Sequence, residues 1–151
     1  MDVYAKLKEF NLTLPDNPGK GGIYKPVKQV GNSLYVSGQL PTRTGEPQFI
    51  GKVGSERTIE EAQEAARKCA LNALSHLHTF LGDLNKIKGV IKTLGFVRSA
   101  EGFVQQPKVI DAASALLRDI WGEDGLGARS SVGVYELPNG VSVEIEFIFE
   151  I

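Results

Sequence analysis

The stretch ARSSVGVYELPNGVSVEIEFIFEI, Ala128–Ile151, decides the fold, because it reads as two strands around a Pro138-Asn139-Gly140 turn. Asn-Gly accepts the positive φ angles that a tight hairpin demands. Along the second strand Val143, Ile145, Phe147, Phe149 and Ile151 alternate with Glu144, Glu146, Ile148 and Glu150. Successive strand side chains point to opposite faces, so the first set makes a core face and the second a partly polar one. Arg129 enters the first strand as a fixed cation. A cation and carboxylates set into an apolar sheet point to a site that grips a small charged molecule. The alternative is an internal pair between Arg129 and Glu146 or Glu150. A two-residue turn would oppose Arg129 to Glu150 and Tyr135 to Glu144, leaving Arg129 roughly 20 Å from Glu144. A small molecule would then reach both only across two copies of the chain.

Upstream, Ile110, Ala113, Leu117, Ile120 and Trp121 recur at helical spacing behind Pro107, a favoured first-turn residue. Gly122-Glu123-Asp124-Gly125 closes that helix. Ile87 to Val97 reads as a strand. Before it, a longer helix starts at a Thr58-x-x-Glu61 capping box and ends at Gly82. Its stripe runs Ile59, Ala62, Ala66, Cys69, Ala70, Ala73, Leu77 and Phe80, narrow enough to lie close on a sheet. Tyr24 to Ser37 is a further hairpin, turning at Gly31-Asn32-Ser33. The segment to Arg57 is a surface loop with one short strand near Phe49-Ile50. Val3, Leu7 and Phe10 make a short N-terminal helix, and a Pro/Gly loop follows it. The order hairpin, helix, strand, helix, hairpin implies an α+β sheet with both helices on one face, in one domain over residues 1–151.

Composition narrows the function classes. The 151 residues are 42% hydrophobic and 23% charged, with a net charge of −1. That balance lacks the basic footprint of a nucleic-acid binder. No apolar run is long enough to span a membrane, and the first ten residues do not read as a secretory signal, so a cytoplasmic protein is expected. The single cysteine, Cys69, rules out an intrachain disulfide and reads as a small core side chain. His76 and His78 lie about 200° apart around a helix and cannot share a metal. Lys86, Lys88 and Lys92 read as a solvated edge.

Two blocks resemble the reactive-intermediate deaminase family (RidA/YjgF, also called L-PSP endoribonuclease-like). One is Tyr24 followed by Ser37-Gly38-Gln39-Leu40-Pro41. The other is Ala128-Arg129-Ser130-Ser131-Val132, then Leu137-Pro138, then Val143-Glu144-Ile145-Glu146. The resemblance runs from about Ile23 to Ile151, with residues 1–22 as an added helix and loop. It implies a chorismate-mutase-like, ferredoxin-like βαβ fold assembled as a homotrimer with sites in the clefts between subunits. It also implies cofactor-free, metal-free hydrolysis of reactive 2-imino or enamino acids to 2-keto acids and ammonia.

Carried over by motif, Arg129 is the ligand of the substrate carboxylate, and Tyr24, Ser37, Gly38 and Glu144 line the pocket. Glu144 and Tyr24 would position the attacking water. Three positions depart from the pattern. Ser131 stands where the family has a cysteine, Gly127 where a proline often precedes the motif, and Asp111 where many members carry Asn. Asp111 and Ser131 remain candidate substrate-binding positions. The same residues would also serve a non-catalytic, carboxylate-binding regulatory trimer. An endoribonuclease would need a basic groove or paired histidines, which the sequence does not supply.

Overall fold

The computed structural model describes every residue from Met1 to Ile151. The elements are α1 (Val3–Glu9), β1 (Val27–Val30), β2 (Ser33–Gln39), β3 (Thr42–Arg43), β4 (Glu46–Pro47), α2 (Ile59–Leu81), β5 (Gly89–Arg98), α3 (Gln106–Trp121), β6 (Ala128–Val134) and β7 (Val143–Glu150). Five strands form one sheet in the order β1-β2-β7-β5-β6, and β3 and β4 form a separate small hairpin. Helices α2 and α3 pack together on one face of the sheet. This mixed α+β architecture matches the expectation.

The terminal hairpin does not form. Strand β7 is inserted between β2 and β5, antiparallel to both, while β6 pairs parallel to the far side of β5. The cause lies in side-chain character. Val143, Ile145, Phe147 and Phe149 are all essentially buried, whereas no residue of β6 is. A strand carrying Arg129, Ser130, Ser131 and Gly133 cannot fill a sheet centre, so it takes the edge. The turn itself has the expected backbone, with Asn139 and Gly140 at φ 57° and 71°, but it belongs to a longer crossover past the end of β5. Arg129 therefore lies beside Thr93 rather than Glu150, and Glu144 beside Phe96 rather than Tyr135.

Helix α2 begins at Thr58, whose Oγ1 accepts from the Glu61 amide at 3.1 Å. The return half of the box is missing, because Glu61 pairs with Arg57 at 2.9 Å. Gly82 caps the other end at φ 76°, a left-handed conformation that glycine adopts without strain. Ala62, Ala65, Ala66, Cys69, Ala70 and Ala73 are fully buried, and their small size lets α2 settle on the sheet. Burial pushes the Cys69 thiol well above its ordinary range, so it stays protonated as a core group.

Trp121 ties α3 to the chain entering β5, its Nε1–H donating to Ile87 O at 3.2 Å. Gly95 allows α3 to approach β5, since a Cβ there would lie 2.5 Å from Ile110. Two ends of the expected stripes are open to solvent: Phe10 is the exposed C-cap of α1, and Phe80 lies on the outer side of α2. The expected strand at Phe49-Ile50 reduces to a single bridge from Ile50 to Val141. The other face of the sheet carries no helix. It presents Tyr35, Leu94, Phe96, Val132 and Ile148 among Lys28, Lys92, Glu144 and Glu146. No helix is long and apolar enough to cross a membrane.

Candidate functional site

Strand β2 is irregular where it matters. Val36 pairs with Phe147 and Gln39 with Ile145, so Ser37 and Gly38 together face the single residue Glu146. An extra residue of this kind is a β-bulge, which bends the strand and redirects its side chains. The Ser37 Oγ–H donates to Lys25 O at 2.7 Å, and Gln39 Nε2–H donates to Ser37 O at 2.9 Å. These bonds fix the bulge on both sides. Buried Asn72 holds the next segment against α2, donating to Leu40 O at 3.0 Å and Thr42 O at 3.2 Å.

The bulge brings Gly38 under the Glu144 side chain. A Cβ at residue 38 would stand 2.9 Å from Glu144 Oε1 and 3.0 Å from its Cδ. Glycine is what permits the approach. The carboxylate forms one wall of a cavity of about 440 Å³ with Tyr24, Ser37, Gly38, Leu40, Pro138 and Asn139. Burial raises the Glu144 carboxyl above its ordinary range, and the like charge of Glu146 raises it further. Loss of hydration penalises the charged form, which holds the group nearer to neutral titration. Tyr24 is anchored at the rim, its hydroxyl oxygen accepting from the Gly21 amide at 3.1 Å. Arg98, outside the cavity, ties down the turn that carries Pro138 and Asn139, with Nη1 donating to Gly140 O at 3.0 Å and Nε 2.8 Å from Glu136 Oε2.

Replacing Gly38 by alanine is expected to displace the flexible end of Glu144 while sparing the backbone. The melting temperature should move by no more than about 2–4 °C. Any turnover that depends on Glu144 should fall at least about tenfold. Thermal melts measured beside the kinetic assay check both halves.

The remaining candidates sit elsewhere. Arg129 points toward α3, and its Nη1 donates to Asp111 Oδ1 at 2.8 Å and to Ser114 Oγ at 3.2 Å. Ser131 follows on the same side of β6 with its Oγ buried and without a partner. Arg129 and Glu144 are two strands and three residues apart, roughly 14 Å between Cα atoms, and on opposite faces of the sheet. The expected 20 Å spacing rested on the hairpin that does not form. Within one chain the structure thus assembles Tyr24, Ser37, Gly38 and Glu144 in one place, and Arg129, Asp111 and Ser131 in another. The internal counter-ion of Arg129 is Asp111, not Glu146 or Glu150. Nε and Nη2 of the guanidinium have no protein partner, and the side chain is 24% exposed.

Sequence reasoning missed Arg98, Asn72 and Ser114, and read Asn139 only as a turn residue, not as part of the cavity wall. Gly38, isolated inside a strand pattern, was the available signal for the bulge. His76 is buried, which lowers its imidazole, partly offset by a bond to the Gly19 backbone. His78 shares a 3.0 Å hydrogen bond with the Tyr4 hydroxyl, so the two imidazoles have separate partners.

A five-stranded sheet with both long helices on one face and a bulge-built cavity defines a class of small α+β proteins. Within that class the chain belongs to the YjgF family: the model described as "YjgF/chorismate_mutase-like, putative endoribonuclease" matches residues 5–143. Protein TCP17 of Trypanosoma cruzi is 37% identical over 99% of this chain and 94% of its own length. A 2-iminobutanoate/2-iminopropanoate deaminase of Dermatophagoides farinae is 30% identical, over 91% and 92% respectively. A crystal structure of a protein of unknown function from Agrobacterium tumefaciens superposes with a TM-score of 0.89 at 45% identity, covering 99% of this chain and 93% of that one.

Proposed function

We propose that the protein hydrolyses reactive 2-imino acids to 2-keto acids and ammonia, without a cofactor, at sites completed between the subunits of a homotrimer. The observation that carries this reading is the half-buried Glu144 carboxyl, raised in pKa and set over Gly38 in a cavity sized for a small metabolite. A carboxylate whose pKa is raised by burial is a stronger base than an ordinary one, and can take a proton from water and return it within one turnover. As the water oxygen bonds to C2 and the C=N π pair moves onto nitrogen, one water proton passes to Glu144, which hands it to that nitrogen to give the carbinolamine. Glu144 then takes the hydroxyl proton and delivers it to the amine nitrogen, so that the C–N bond breaks as the C2 carbonyl forms and ammonia leaves with Glu144 again ionised. The Tyr24 hydroxyl and the Ser37 side chain line the space where that water and nitrogen would sit.

The substrate carboxylate needs a cation, which the cavity of a single chain lacks. Arg129 on the edge strand β6 of a neighbouring copy supplies one, its Nε and Nη2 forming a side-on fork for two oxygens. The helix-free sheet face, with Tyr35, Leu94, Phe96, Val132 and Ile148, offers an apolar surface for that association. The resemblance to the mite deaminase supports the reaction class.

The Asp111 contact favours a second reading, a carboxylate-binding trimer that does not turn over, because it already engages Nη1 and offsets the charge of Arg129. The two readings part on one assay: release of keto acid and ammonia from freshly generated 2-iminobutanoate, against a no-protein control. Saturable binding of 2-ketobutanoate without accelerated release would select the module. In either case Asp111→Asn frees Arg129 from a competing anion. It is expected to tighten 2-ketobutanoate binding roughly three- to tenfold, as read by calorimetry.

A further inference from the structure

The Glu144 cavity has no cation of its own, but it does not end at Asn139. It continues past Tyr24, Gly38 and Asn139 into a second space of about 170 Å³, walled beyond them by Lys20, Gln39 and Thr42. These walls come from the loop before β1, the end of β2 and the small β3–β4 hairpin, not from the helix-free face. Helix α2 holds both sides of the space. Ser75 Oγ–H donates to Pro15 O at 2.9 Å, Thr79 Oγ1 accepts from Asn17 Nδ2 at 3.1 Å, and His76 bonds the Gly19 backbone. Asn72 holds Leu40 and Thr42 opposite. Asn72, Ser75 and His76 are buried, and a polar group in a core position is costly unless hydrogen-bonded. This polar seam sets the two walls at a fixed separation.

Lys20 is the only charged side chain lining the extension. Its ammonium donates to Tyr24 O at 2.9 Å and has no carboxylate partner, so two of its three N–H donors are free. Thr42 Oγ1 accepts from Asn72 Nδ2 at 3.2 Å, which leaves its own O–H to donate. Glu144 does not line this space, so a group bound there is set apart from the reacting carbon. We propose, resting on the deaminase reading for where C1 and C2 lie, that the extension selects 2-imino dicarboxylic acids, whose distal carboxylate meets Lys20 and Thr42. The space holds about five water-sized groups, enough for a two-carbon arm ending in a carboxylate. An uncharged arm leaves the ammonium without an anion, and a cationic arm is repelled. Lys20 is exposed in one chain, so the pair is worth a modest factor rather than orders of magnitude. The hydrolysis is the same, with a keto diacid as product.

The test compares 2-ketoglutarate with 2-ketopentanoate, which share a five-carbon chain, by calorimetry on the full chain at constant ionic strength. The two corresponding imines, generated in the assay by amino-acid oxidases with catalase present, are compared by ammonia release against a no-protein control. The parent should prefer the dicarboxylate roughly three- to tenfold, in affinity and in kcat/KM. Lys20→Met should abolish the preference and Lys20→Arg should keep it. Lys6→Met, which removes a lysine on α1 paired with Glu9, should leave the preference as in the parent. If Lys20 matters only by anchoring Tyr24, Lys20→Met weakens both ligands alike, which overturns the proposal. Equal affinity in the parent, or a preference that persists in Lys20→Met, overturns it too. Hydrolysis of both imines without preference removes the subsite and spares the deaminase reading. Preferential binding without faster hydrolysis removes that reading and keeps the subsite.

Discussion

Arg129→Ala is expected to lower kcat/KM for 2-iminobutanoate hydrolysis by roughly 10²–10³-fold. Truncating one partner of a desolvated, hydrogen-bonded ion pair costs about 2–5 kcal/mol, and each 1.4 kcal/mol is a factor of ten. The fold should hardly notice. Arg129 lies on the edge strand, and its one ionic partner, Asp111, is 63% exposed, so the abandoned carboxylate stays hydrated. Arg129→Lys should recover little, since an ammonium keeps the charge but loses the fork. Mixing is the decisive arm. Subunits carrying Arg129→Ala, co-assembled with subunits carrying Glu144→Gln, should regain part of the activity, because some clefts receive both intact residues. Activity unchanged in Arg129→Ala, or no recovery on mixing despite confirmed co-assembly, contradicts the shared-site reading.

Glu144→Gln is expected to lose about 10²–10⁴-fold in kcat, the usual contribution of a positioned proton carrier, while making the protein more stable at neutral pH. The sign follows from the raised carboxyl of Glu144. The folded protein holds this proton more tightly than the unfolded chain does. Between the ordinary carboxylate range and the raised value, the folded state therefore binds more protons, and stability falls as pH rises. Above that window the penalty is constant. Glutamine carries no such charge, so thermal melts of the variant should lie above the parent at pH 7 and converge with it in acid. A parent equally stable across that window would show that Glu144 is better solvated than its surroundings indicate. The combination, less turnover and more stability, marks a group kept for chemistry rather than for the fold.

Helix boundaries were legible because their signals are local. Thr58 and Gly82 each act within one turn, and Pro107 within another. The core face of β7 was legible too, since period-two alternation needs no partner. Pairing was not. Alternation identifies a strand but not its neighbour, and the Asn139-Gly140 turn sits in a crossover as readily as in a hairpin. What placed β6 at the edge was its poor apolar content, visible in the sequence but outweighed by the turn. In the site, the motif residues Tyr24, Ser37, Gly38 and Glu144 do meet. The Arg129–Asp111 contact joins residues 18 apart on different elements, a coincidence of packing that no spacing rule announces. Lys92 was read as a wet edge because its strand's neighbours were unknown; with β6 beyond it, β5 is an interior strand.

The place of β7 bears on how the chain reaches its folded state. This segment is synthesised after every other strand, yet it must wedge between β2 and β5. Until it leaves the ribosome, the β1–β2 and β5–β6 pairs have no backbone contact with each other, and each offers an open hydrogen-bonding margin to any passing peptide. Nascent intermediates should consequently be the most aggregation-prone species, and a stall or premature stop before Val143 should leave two unjoined half-sheets.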